Sequence, residues 1–311
     1  MIPHVSFSKN VRLLLFLLFA VFFLALYRIT YINAENLRYS QEEQNILLLK
    51  YEVFDQLDVV ANNVYIYNFT KNEEIYSKRK DQQKYIASAT KLMTSNIADL
   101  YGDSKIRVGL NSFVHSEENF VAPGQILEKP LLEKIMLVSS SNNIAEMFKV
   151  HLKEEKDKNI VDEMNERSKK LGLLNTVFVN PTGLDESGTG NLSTAEEVSK
   201  MAYFTFRKIP TIVESTAKKE FLFENSIGQK IDVPNTNPSV EEIPNIVLSK
   251  TGYTDKAGGV LTVLFYSQYN NDLISITVLD STREDRIQDV LRLAKRTELY
   301  LELLDIRLKN I

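Results

Sequence analysis

The sequence contains no cysteine. Disulfides, cysteine-ligated zinc, iron–sulfur clusters and cysteine nucleophiles are therefore excluded. Such an absence suits an oxidising compartment. Histidine is nearly as scarce, with only His4, His115 and His151. His4 precedes a long apolar run. A histidine-based triad would need His115 or His151, and both lie in polar stretches that read as solvated surface. A hydrolase built on this chain would need another base. Excess positive charge is lacking too: the net charge is −4. No basic face of the kind that binds nucleic acid is expected, so nucleic acid is not an expected partner. Charged residues at 25% and hydrophobic residues at 44% form an ordinary globular balance. The 311 residues suffice for one large domain or two modest ones.

Leu13 to Tyr27 is an unbroken apolar stretch, preceded by Lys9 and Arg12 and free of acidic residues until Glu35. Its length, about 22 Å as a helix, falls short of a hydrocarbon core of ~30 Å. Continuing to Ile32 gives a sufficient span if Arg28 snorkels outward. A cleaved signal peptide would need a small-x-small site, which Ala25-Leu-Tyr27 does not supply. An uncleaved signal anchor fits better, and the preceding positive charges put its N-terminal end in the cytoplasm. The expected organisation is a cytoplasmic segment at 1–12, a transmembrane anchor at 13–32, a helical stalk at 33–56 and a domain at 57–311. That makes a single-pass cell-membrane protein with its domain outside the cytoplasm.

Strand-like segments stand at both ends of that domain. Val64 to Phe69 and Glu74 to Ser77 read as a hairpin. Asn245 to Lys250, Gly259 to Tyr266 and Asp272 to Leu279 read as strands. Between them lie helical patterns at 131–137, 143–152, 160–171 and 194–206, the last capped by Ser193 or Thr194. A final helix is expected over about 284–308. The expected fold is α/β (α+β): one mainly antiparallel sheet flanked by helices, with a helical subdomain from the middle of the chain.

Three short motifs occur in order: Ser88-Ala-Thr-Lys91, Ser140-Ser-Asn142 and Lys250-Thr-Gly252. A lone Ser-x-x-Lys is weak, and roughly one is expected by chance in such a chain. Alone it reads as a helix cap with a surface lysine. On a helix, residues i and i+3 share a face, so Lys91 can reach the Ser88 hydroxyl. Serine needs a base to become a nucleophile, and a nearby cation such as Lys250 pushes a lysine toward its neutral form. A helix N-terminus at Ser88 would add N–H groups where an oxyanion forms. Ser140 and Asn142 sit in a polar break between two helical stretches. A hydroxyl there can pass a proton to a leaving amine, and an amide can hold substrate or orient Lys91. The alternative register, Ser141 with Asn143, fits the same loose pattern. Lys250-Thr-Gly252 ends a strand. A lysine and a hydroxyl can bind a carboxylate, and the glycine lets substrate backbone come close.

Ser-x-x-Lys, Ser-x-Asn and Lys-Thr-Gly together mark penicillin-binding proteins and class A β-lactamases. The chain resembles the low-molecular-mass penicillin-binding proteins, the D-alanyl-D-alanine carboxypeptidases of peptidase family S11. The resemblance rests on Ala87 to Thr94, on Ala122-Pro-Gly-Gln125, on Met164 to Gly172 and Asn175 to Asp185, and on Ser193-Thr-Ala195. Ser249 to Asp255 and Val278 to Thr282 complete it. It implies a β-lactamase/transpeptidase-like fold. Ser88 would attack the D-Ala-D-Ala bond of peptidoglycan stem peptides, with Lys91 as base and Ser140 as proton relay. Asn142 would position substrate, and Lys250 and Thr251, backed by Gly252, would bind its terminal carboxylate. The N–H groups of Ser88 and Tyr253 would form the oxyanion hole. β-Lactams would acylate Ser88, and the scheme calls for no cofactor and no metal. The resemblance also settles the second motif on Ser140 and Asn142.

The chain departs from the family pattern at Ser141, Ile86 and Ser249, where glycine, proline and leucine are usual. None of these removes a catalytic group. An endopeptidase of the same family, cutting D-amino-acid cross-links, uses the same acylation chemistry. A catalytically inactive binding scaffold is the reading from another class. A class A β-lactamase would need a deacylating Glu-x-x-Leu-Asn loop, and the sequence has none.

Overall fold

The strands from the two ends of the domain meet in one sheet. The computed structural model describes residues 9–55, 57–109, 120–186, 188–225 and 228–309; of residues 10–18, 25, 29 and 33–40 it describes the backbone helix alone. His4 and His115 lie outside the described residues. In chain order the elements are α1 (Lys9–Phe54), β1 (Asn63–Asn68), β2 (Glu73–Lys78), β3 (Lys84–Tyr85), a 3-10 turn (Ala87–Thr90) and α2 (Lys91–Tyr101). Next come β4 (Lys105–Arg107), β5 (Ile126–Glu128), α3 (Lys129–Ser139), α4 (Asn142–Lys156) and α5 (Ile160–Lys170). Then follow β6 (Leu192–Ser193), α6 (Ala195–Lys208), α7 (Pro210–Val213), β7 (Glu220–Glu224) and β8 (Lys230–Pro234). The chain ends with β9 (Ile246–Thr254), β10 (Gly258–Tyr266), β11 (Leu273–Ser281) and α8 (Asp285–Lys309).

Two compact units share these elements. One takes in α1 up to Glu52 and the end of α8 from Leu303, tied by an ion pair between Arg307 and Glu52. The segments expected as anchor and helical stalk share one helix, α1, of 46 residues, with no proline or glycine to break it. Among the described residues no helix is long and apolar enough to cross a membrane. The expected span at 13–32 falls partly outside the described side chains, and those of Phe19, Val21, Phe22, Leu24 and Tyr27 are exposed.

The second unit, Val53–Glu302, holds the five-stranded antiparallel sheet in the order β2-β1-β11-β10-β9. Its register sets two faces. Tyr76, Ile66, Ile276 and Val263 lie in one cross-strand row. Phe54 stacks on Tyr76 at 4.8 Å and meets Tyr300 of α8, which closes this face. Tyr65, Thr277, Thr262 and Lys250 lie in a row on the other. There Ser199 of α6 shares a hydrogen bond with Ser275 at 2.6 Å. Both faces are covered, which explains the continuous apolar runs of β10 and β11 where a half-exposed strand would alternate.

The helical subdomain is built around α2, which packs against α3, α4, α5 and α6. Residues 91–98 of α2 are all buried, so each polar group on it needs a partner. Asn96 donates to Leu92 O and to Thr205 Oγ1, and Thr94 donates to Pro181 O. Of the two expected caps for α6, Thr194 is the one that accepts from Glu197 N.

One buried polar group on α3 is only half satisfied. Glu133 accepts from Ser95 Oγ at 3.0 Å through one oxygen, while the other has no partner among the described residues. Burial pushes its carboxyl up to about 7, against the Ser95 hydrogen bond and the charge of Lys129. A raised carboxyl stabilises the fold below its unfolded value near 4.5 and loses that contribution as pH rises through about 7. Glu133→Gln should therefore gain on the wild type in urea unfolding as pH rises from 4 to 8. The relative gain should reach roughly 3 kcal/mol; a gap independent of pH would refute this.

Candidate active site

Ser88 lies in the 3-10 turn, with α2 beginning only at Lys91. The expectation of an α-helix starting at the nucleophile is thus corrected by about one turn. Two glycines hold that turn in place. A Cβ on Gly252 would come within 2.9 Å of Ser88 N, and one on Gly183 within 1.9 Å of Ala87 O. Gly183 also has φ +86, where side chains are strained. Gly252 lines the cleft, where it was expected to admit substrate backbone, and it also admits the chain at Ile86 to Ser88. Ala87 itself adopts φ 44, a strained conformation for a residue with a Cβ.

Lys91 projects from the first turn of α2 and is fully buried. Its Nζ donates to Ser88 Oγ at 3.0 Å, to Asn142 Oδ1 at 2.7 Å and to Thr182 O at 2.7 Å. Asn142 is the first residue of α4, and Ser141 caps that helix through Ile144 N. Ser140 closes α3 at φ 64, the left-handed region. The polar break is therefore two helix ends set back to back by one strained residue.

Lys250 projects from β9, which runs on through the Lys-Thr-Gly motif to Thr254 instead of ending there. Its Nζ donates to Ser140 Oγ at 2.9 Å and to Thr251 O at 2.9 Å. Burial, then the charges of Lys91 and Arg286, hold its ammonium well below the usual lysine range. Arg286 of α8 donates to Gly252 O, and burial and Arg283 bring its guanidinium down to about 10.

Ser88, Ser140, Asn142, Thr251, Gly252 and Tyr253 line one cleft of about 590 Å³ together with Phe120, Leu184, Thr236, Arg283 and Arg286. Among the described residues none that lines the cleft is acidic, so the cleft suits an anionic substrate. Lys91 and Lys250 are buried beneath it. All eight residues singled out from the sequence come together here. The sequence reading missed Thr182, Gly183, Asn191, Thr236 and both arginines. Thr182 acts through its carbonyl, which no residue type signals. Arg283 lies over the Tyr253 ring at 4.5 Å. His151 was expected on the surface, but it is 8% exposed, with Nε2 lacking a hydrogen-bond partner among the described residues and 3.4 Å from Asp103. The apolar side of α4 draws it inward.

The family of D-alanyl-D-alanine carboxypeptidases, peptidase S11, matches residues 52–282. The chain belongs to this family. Among relatives of this S11 peptidase, the D-alanyl-D-alanine endopeptidase of Escherichia coli is 30% identical over 236 residues, 73% of each chain. The carboxypeptidase DacF of Bacillus subtilis is 28% identical over 197 residues, 60% of this chain and 49% of that one. A penicillin-binding protein of Listeria monocytogenes, solved with cefotaxime bound, aligns with TM-score 0.63 at 26% identity, covering 78% of this chain and 98% of that one. A carboxypeptidase structure from Mycobacterium tuberculosis gives TM-score 0.69 at 18% identity, covering 78% and 92%. It supports the shared fold.

Lys250 yields a test of the cationic cleft. Its lowered ammonium costs the fold nothing above the ordinary value of 10.5, and the cost grows as pH falls below that value. Lys250→Met should therefore gain stability relative to the wild type between pH 10 and pH 7, while losing acylation by a penicillin. Denaturation midpoints that run parallel over that range would exclude the buried-cation account.

Proposed function

We propose that this S11 peptidase removes the terminal D-alanine from peptidoglycan stem peptides through an acyl-enzyme on Ser88. The observation that carries the reading is a pair of buried lysine–serine contacts on one cleft: Lys91 on Ser88 at 3.0 Å and Lys250 on Ser140 at 2.9 Å. The terminal carboxylate binds at Lys250 and Thr251, and Asn142 steadies the substrate backbone. Ser88 Oγ attacks the carbonyl of the penultimate D-alanine and gives its proton to Lys91. The ammonium so formed finds Asn142 Oδ1 and Thr182 O already in place, so the site favours the charge that develops during attack. The oxyanion faces the N–H groups of Ser88 and Tyr253. Ser140 relays the proton held by Lys91 to the leaving nitrogen, the C–N bond breaks, and D-alanine departs with Lys91 again a free amine. Water then attacks the ester and frees Ser88.

Cutting of D-Ala cross-links is the second reading. It draws support from endopeptidase-named relatives in Escherichia coli, Haemophilus influenzae and Pseudomonas aeruginosa. Acylation is common to both activities; they differ in the leaving group. A fluorescent penicillin should label the wild type and not Ser88→Ala. The wild type should release D-alanine from a pentapeptide faster than it splits a cross-linked dimer. Labelling of Ser88→Ala would sink the nucleophile assignment, and the reverse substrate preference would favour the endopeptidase.

Membrane anchoring through α1 completes the proposal, with the domain outside the cytoplasm where peptidoglycan lies. Its support is the run Leu13 to Tyr27 and the exposure of Phe19, Phe22 and Leu24. The full chain should sediment with membranes and resist extraction by high salt, and deletion of 1–32 should release it. Release of the full chain by salt alone would reject the anchor.

A further inference from the structure

Asn191 is completely enclosed between the nucleophile turn and the segment that faces Lys91. Its side chain uses its full hydrogen-bonding capacity. Oδ1 accepts from Val179 N at 2.7 Å and Asn180 N at 3.2 Å. Nδ2 donates to Thr90 Oγ1 at 2.8 Å and Asn180 O at 2.9 Å. Its backbone carbonyl accepts from Ile86 N at 3.1 Å. One residue thus grips the chain on both sides of Ser88, at Ile86 and at Thr90.

The grip extends to Lys91 by a second step. Asn180, held through its backbone by Asn191, accepts through its own Oδ1 from Thr182 N, Thr182 Oγ1 and Gly183 N. These bonds fold the 180–183 turn so that Thr182 O meets Lys91 Nζ at 2.7 Å and Gly183 backs against Ala87. Asn191 touches neither Ser88 Oγ nor Lys91 Nζ. We propose that Asn191 is a positioning residue for the acylation step: its amide locks the Ser88 turn to the Thr182 carbonyl, and so fixes the distance between nucleophile and base.

The inference rests on the acylation reading above, and its test separates the two. Acylation by a fluorescent penicillin is followed against concentration, which resolves the half-saturating concentration from the limiting rate constant. In Asn191→Ala the limiting rate should fall by about 10²-fold, the scale of a small misplacement of reacting groups. The half-saturating concentration should stay within about threefold, because the cleft that receives the β-lactam is intact. Asn191→Asp keeps both acceptor contacts but loses both donors, and should be slowed similarly. Thr90→Val removes one acceptor of the amide and should slow acylation by about tenfold. Combined with Asn191→Ala, it should add little, since the bond is already lost. A wild-type limiting rate in folded Asn191→Ala, or a change confined to the half-saturating concentration, overturns the proposal. Where Asn191→Ala does not fold, a wild-type rate in Thr90→Val overturns it. A wild type that is never acylated fails the function reading and this inference with it.

Discussion

Two lysine side chains are withdrawn from water within one small region, and the rest of the domain is arranged to tolerate this. Removing a cation from water is costly unless dipoles or charges replace its hydration. Around Lys91 the replacements are an amide oxygen, a carbonyl and a hydroxyl. Around Lys250 they are a hydroxyl and a carbonyl. Among the described residues no carboxylate forms an ion pair with Lys250. A carboxylate there would compete with an anionic substrate, so this arrangement sacrifices stability to keep the cleft receptive.

That requirement explains the architecture. Lys91 needs a helix enclosed by others, and α2 supplies it. Lys250 needs a strand at the edge of the sheet, where its side chain faces the helices and the neighbouring backbone faces the cleft. The two meet because Gly252 and Gly183 let β9 and the 180–183 turn close on the Ser88 turn. Ser140 then has to bend back at φ 64 between α3 and α4 to reach Lys250. Strain at Ser140 and Ala87 is borne by the packing around them.

Much of this was legible in the sequence because the pattern is strong where burial is strong. The five main strands and α8 fall within a few residues of their expected ends, since apolar runs of that length have few other uses. The three motifs located every residue of the lysine–serine pairs. Other features had no such signal. The two-residue strands β3 and β6 are too short to show a period. Glu220 to Glu224 does alternate, but its apolar residues serve a local hairpin beside α3 and not the main sheet. His151 sits on α4 among charged neighbours in sequence, and only the helix's rotation puts it inside. Thr182 and Asn191 matter through a backbone oxygen and a fully shared amide, and such roles depend on three-dimensional neighbours that residue type does not reveal.

The strand order carries a consequence for how the molecule comes into being. β1 pairs with β11, so Asn63 lies beside Leu279 and Asn68 beside Ile274. The centre of the sheet cannot exist until β11 has been made. Val60 and Ala61 lean on Asp289 across an even greater separation. Contacts so distant in sequence make folding slow, because the connecting chain must be ordered before it is rewarded. A partly synthesised chain would hold the Ser88 turn without the strand that carries Lys250. The Lys250–Ser140 contact therefore forms only after β9 has joined the sheet.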